Sequence, residues 1–104
     1  MQFTTARDYT GHKPWDALDL ADFEEPATVR LHWTDAPYIW HVNDGAEVFV
    51  VLDGEVDMHY RVDGAEQVQR MRTGDICRAR VGDEHVAHPR GAARILVVEH
   101  RGSI

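Results

Sequence analysis

Four side chains hold the polar chemistry that this sequence could gather in one place: His41, Asn43, Glu47 and His85. On an extended strand His41 and Asn43 stand two residues apart and point to the same face. The Asn43-Asp44-Gly45 turn then reverses the chain, so Glu47 begins a neighbouring strand and the three groups can converge. Glu47 shares its face with Phe49 and Val51. If those side chains enter a core, the carboxylate enters with them, and a buried carboxylate needs a cation or hydrogen-bond partners to offset its desolvation. His85 comes from elsewhere, delivered to the start of another strand by the turn at Gly82-Asp83-Glu84. Imidazoles and a carboxylate brought together from separate strands are the donor types of a metal site.

The other histidines read differently. His88 follows His85 by three residues, which on a strand points it to the opposite face, and it is read as a surface or loop residue. His59 lies among Asp57 and Arg61, and His32 beside Arg30, so both are read as solvated. Trp33, Tyr38 and Trp40 could line a ligand mouth, although an aromatic in a β-rich core more often packs. The sequence has neither a Gly-rich phosphate loop nor a serine in a Gly-x-Ser-x-Gly setting.

The elements that must position these residues are short strands. From Thr28 onward, turn chemistry recurs roughly every eight to twelve residues, at Thr34–Pro37, Asn43–Gly45, Asp53-Gly54, Asp63-Gly64, Thr73–Asp75, Val81–Asp83 and Pro89–Gly91. That interval predicts an all-β sandwich or barrel with little helix. Val29, Leu31 and Trp33 alternate with Arg30 and His32, and Val56, Met58, Tyr60 and Val62 alternate with Asp57, His59 and Arg61. Cys77, Ala79 and Val81 oppose Arg78 and Arg80, which makes Cys77 a packed thiol. Val48–Leu52 and Ile95–Val98 are apolar on both faces, so something covers their outer side: a second sheet, the N-terminal segment or, preferred here, a partner subunit. Ala17–Phe23 fits a strand and a short helix about equally well. One domain over residues 1–104 is expected, with residues 1–26 packing on the barrel.

The two polar clusters resemble the paired motifs of the cupin superfamily. The first motif reads G, five residues, H-x-H, three or four residues, E, six residues, G; here His41, one residue, Asn43, three residues, Glu47, six residues and Gly54 reproduce its spacing. The second reads G, five residues, P-x-G, two residues, H, three residues, N, and the chain offers Gly74, five residues, Arg80-Val81-Gly82, two residues and His85. Asp35, Arg80 and Pro89 depart from the pattern in turns or at its margins; Asn43 departs from it at a ligand position. The resemblance, which spans roughly Val29 to Glu99, implies an antiparallel jelly-roll β-barrel with the pocket between its two sheets. It implies metal ligation by His41, Glu47 and His85, two imidazoles and one carboxylate, with the fourth ligand lost, since an amide oxygen is a weak ligand for a first-row transition metal. The implied ion is iron(II), manganese, nickel or zinc, acting on a small polar molecule as in dioxygenases, isomerases or lyases. The alternative is a metal-free binding module in which Asn43 orients a small ligand or bonds to Glu47. In both readings Asn43, Phe49, Tyr38, Met58 and Tyr60 are the expected pocket residues; a purely structural dimer would instead fill the pocket with Phe49, Met58 and Tyr60.

Composition narrows the partners. In 104 residues, eleven Lys and Arg against eighteen Asp and Glu give a net charge of −7, which repels phosphate backbones and makes nucleic acid a poor partner. The sequence carries no long apolar run and no signal-peptide pattern at Met1–Trp15, so a soluble, cytoplasmic protein is expected. The single cysteine forms no internal disulfide, in keeping with a reducing compartment. The expected partners are a small molecule and a second copy of the chain.

Overall fold

The alternating pattern becomes nine strands and a 3-10 turn at Ala6–Asp8 among the described residues of this computed structural model, which are 2–22 and 27–103. The strands are β1 (Asp16–Asp22), β2 (Ala27–Thr34), β3 (His41–Val42), β4 (Glu47–Asp53), β5 (Val56–Val62), β6 (Ala65–Met71), β7 (Ile76–Ala79), β8 (Glu84–Pro89) and β9 (Ala93–His100). Five form one sheet in the order β1-β2-β9-β4-β7, and four form a second in the order β3-β8-β5-β6. All the recorded pairings are antiparallel. This is the expected all-β jelly roll. The segment that fitted strand and helix equally well is a strand to Asp22, paired with β2; Phe23 lies outside the described residues. Part of the segment expected merely to pack on the barrel is therefore an edge strand of it.

The core lies between the sheets. Phe49 and Val51 of β4 and Ala93, Ile95 and Val97 of β9 face Val56 and Met58 of β5, Met71 of β6 and Ala87 of β8. Each large aliphatic or aromatic member contributes roughly 1.5–3 kcal/mol by leaving water. The chain passes from β4 in one sheet to β5 in the other through Gly54, at φ 84°, where a Cβ would lie 2.6 Å from the carbonyl oxygen of Ala92. Only glycine fits that corner.

Strand β2 faces the opposite way from the simplest reading of its pattern. Register with β9 pairs Arg30 with Val97, His32 with Ile95 and Thr34 with Ala93, whose partners all face inward. Arg30 and His32 therefore enter the space between the sheets, and the expectation of a solvated His32 is overturned. Leu31 lies on the outer face, yet it is buried. The N-terminal segment supplies cover on that side: its 3-10 turn packs on β4, and Arg94 donates to the carbonyl of Tyr9 at 2.6 Å and to Thr10 Oγ1 at 3.1 Å. Gly11 lies against Trp33, close enough that a Cβ would sit 3.1 Å from the indole ring. Val48, Leu52 and Ile76 remain exposed. Among the described residues no helix is long and apolar enough to cross a membrane.

Candidate functional site

The β3–β8 register places His41 directly opposite His85 in the four-stranded sheet, and Glu47 meets them from the facing sheet. The two rings stand edge to face with centroids 4.4 Å apart, and His85 Nε2 lies 3.4 Å from Glu47 Oε1. The side chains of His85 and Glu47 are each only 9% exposed. His41 donates from Nδ1 to the carbonyl of Ile39 at 2.9 Å, which fixes the tautomer and leaves Nε2 as a bare lone pair. That Nε2 is buried and has no partner, and neither has His85 Nδ1. A chain of edge-on ring contacts, Trp15 to Tyr38 to His41, holds the imidazole from behind, and Trp15 Nε1 donates to the carbonyl of Ala36 at 2.9 Å.

These groups border a cavity of about 200 Å³. Its polar wall is made by Arg30, His32, His41, Glu47, His85 and Glu99, its apolar wall chiefly by Trp15, Tyr38, Phe49 and Val97. A second cavity of about 410 Å³ lies on the other side of Glu47 and His85, bordered by Met58, Tyr60, Met71 and Cys77. The expected pocket residues are thus divided: Tyr38 and Phe49 face the first cavity, Met58 and Tyr60 the second, and the collapsed pocket of a purely structural dimer is not what the side chains form. Asn43 borders neither. It is 1% exposed, and its amide nitrogen donates to the carbonyl of Gly45 and, at 3.1 Å, to that of Arg80, tying two loops together instead of reaching Glu47.

Burial raises the carboxyl of Glu47, but hydrogen bonds from His85 and Glu99 outweigh it and hold the group below its ordinary value. Glu99 goes the other way: burial, the hydrogen bond to Glu47 and the charge of Glu47 push it up to about 8. Burial also lowers His32 and lifts the Cys77 thiol to about 12, so Cys77 is the inert, packed thiol its strand position suggests. Sequence reasoning missed Trp15, Arg30, His32, Glu99 and Ser103 as cavity residues. For Glu99 the available signal was alternation along β9, which puts it in phase with Ile95 and Val97. His88 and His59 do leave the site as expected, stacking on each other with ring centroids 4.2 Å apart. Trp40 lies under the Arg61 guanidinium, 4.1 Å from its ring centroid, and stays outside the cavity.

Among the described residues no three His, Cys, Asp or Glu side chains stand at the mutual spacing of a metal cage. The His85–Glu47 contact closes two of the donors on each other. The donor chemistry nonetheless suits a transition metal: two imidazoles, one carboxylate and, at His41, the correct nitrogen left free.

No family profile and no curated protein sequence matches the chain. Solved structures do. A cupin-2 domain protein from Shewanella frigidimarina superposes with a TM-score of 0.75 at 23% identity, covering 88% of this chain and 85% of its own. A cupin superfamily protein from Desulfitobacterium hafniense gives 0.76 at 13% identity, over 91% and 85%. The chain has the cupin fold. A further structural neighbour, the FeII form of HppE, gives 0.62 at 16% identity, over 70% of this chain and 43% of that one.

Proposed function

We propose that this cupin domain holds a divalent transition metal through His41, Glu47 and His85 and binds or acts on a small polar molecule in the cavity beside them. The observation that carries the reading is the buried, unpartnered Nε2 of His41, held in the ligand tautomer by Ile39. Burying a polar atom without a partner costs about 1–3 kcal/mol, a cost that a bound ion would remove. The ion would replace the hydrogen bond between His85 and Glu47. An FeII form among the structural neighbours supports the choice of metals. When bound, the metal supplies Lewis acidity toward a molecule that chelates through oxygen. The chain's own residues do the rest. Arg30 presents a donor to an oxygen-rich ligand, while Tyr38 and Phe49 shape the dry side of the cavity and limit water. The reading includes a cytoplasmic homodimer, supported by the apolar residues still exposed on the outer face of the five-stranded sheet.

A second reading, a metal-free binding module, is favoured by the closed His85–Glu47 contact. Elemental analysis of untagged protein purified without chelator separates the two. Near-stoichiometric iron, manganese, nickel or zinc, lost in His41→Ala and His85→Ala, is expected. A parent protein that carries none and takes up none from solution would sink the metal reading and leave the metal-free module.

A further inference from the structure

Arg30 is the one lysine or arginine among the described residues in the wall of the cavity beside His41. Strand β2 turns it inward opposite Val97, and its Nε is held by Asp19 Oδ1 at 2.8 Å. Both terminal nitrogens of the guanidinium are without a partner among the described residues. The neighbouring imidazoles do not compete as donors: His32 and His41 each turn Nδ1 to a backbone carbonyl, that of Trp15 at 3.3 Å and that of Ile39 at 2.9 Å. Arg30 also borders an outer cleft of about 480 Å³, together with Glu99 and Ser103, which line both spaces. It therefore stands where the cavity meets the outside.

The rest of the wall selects the body of a ligand. Trp15, Tyr38, Phe49 and Val97 make it apolar, and a dry cavity of about 150 Å³ already takes up benzene, so one of about 200 Å³ holds a single ring with a short polar group. The polar group that matches two parallel guanidinium N–H donors is a carboxylate. Glu47 and Glu99 in the same wall restrict the ligand to one negative charge, since a dianion such as a phosphate monoester would face both.

We propose that the cavity binds a small monocarboxylate with a compact apolar body, its carboxylate gripped by the free edge of Arg30 and its body set against Trp15, Tyr38 and Phe49. The proposal rests on the small-molecule part of the reading above, which the metal-bound and metal-free forms share, and names the class of ligand.

Benzoate titrated calorimetrically into the stripped, full-length chain tests this, with benzyl alcohol as an uncharged counterpart of similar size. Saturable benzoate binding is expected, with benzyl alcohol weaker by about tenfold or more. Arg30→Gln keeps hydrogen-bond donors but loses the charge and the fork, and is expected to weaken benzoate by about tenfold or more while leaving benzyl alcohol unchanged. Asp19→Asn breaks the same exposed ion pair but keeps the guanidinium, and is expected to hold benzoate within about threefold of the parent. A loss there as large as in Arg30→Gln would assign the effect to the ion pair and overturn the proposal. Thermal melts check that both variants are folded. Equal binding of the two probes by the parent, or unchanged benzoate binding in Arg30→Gln, would overturn carboxylate recognition. Binding of neither probe would overturn the proposal as well, whereas the metal reading stands or falls separately on elemental analysis.

Discussion

His41 owes its readiness as a donor to a backbone carbonyl two residues away: the Nδ1 bond to Ile39 decides which nitrogen faces the cavity. The opposite case is Glu99, whose environment decides its proton. Pushed up to about 8 from an ordinary 4.5, the folded Glu99 keeps a proton that the unfolded chain has already released over that interval. Its contribution to stability is therefore full below about pH 4.5 and is lost as pH rises through about 8. Glu47, held below its ordinary value, has the opposite sign and acts at lower pH. In stripped protein, urea midpoints are expected to fall from about pH 5 to about pH 8, and Glu99→Gln to flatten the slope; an equal slope in the variant would contradict the assignment. At this scale the sequence was legible where chemistry is local. The shared approach of His41 and Glu47 could be read from turn positions and strand phase, while for His85 these gave only its place at the start of a strand. Glu99 was not, because its meeting with Glu47 depends on the register of β4 with β9, two strands far apart in the chain. The two jobs of Asn43 were hidden for the same reason: its Arg80 partner lies on a distant loop.

Strand β2 shows why a polar face does not by itself mean a wet one. Arg30 and His32 alternate with Leu31 and Trp33 as a half-buried strand should, but the interior here is a polar cavity and the exterior is roofed by the N-terminal segment. Alternation gave the strand and its period; the sense of the faces came from the pairing with β9. The turns, by contrast, were fully local and could be read directly. The one between β4 and β5 has the least tolerance, since Gly54 is both left-handed and pressed against the Ala92 carbonyl. Gly54→Ala is expected to cost about 1–3 kcal/mol, read as a lower urea midpoint with an unchanged slope. A midpoint matching the parent's would mean that this corner relaxes freely.

For the molecule as a whole, the doubly apolar strands called for a cover, and the N-terminal segment supplies part of it. Val48, Leu52 and Ile76 are left over, and a second copy would bury them. Light scattering is expected to give twice 11.9 kDa, with Ile76→Asp shifting the mass toward one chain; a parent mass of 11.9 kDa would assign the whole cover to the N-terminal segment. The His85–Glu47 contact also has a meaning beyond its chemistry, because the same two side chains border both cavities. They form a party wall between a polar room and an apolar one. An occupant that moves the wall from one room is felt by the occupant of the other, and linkage requires the influence to be equal in both directions.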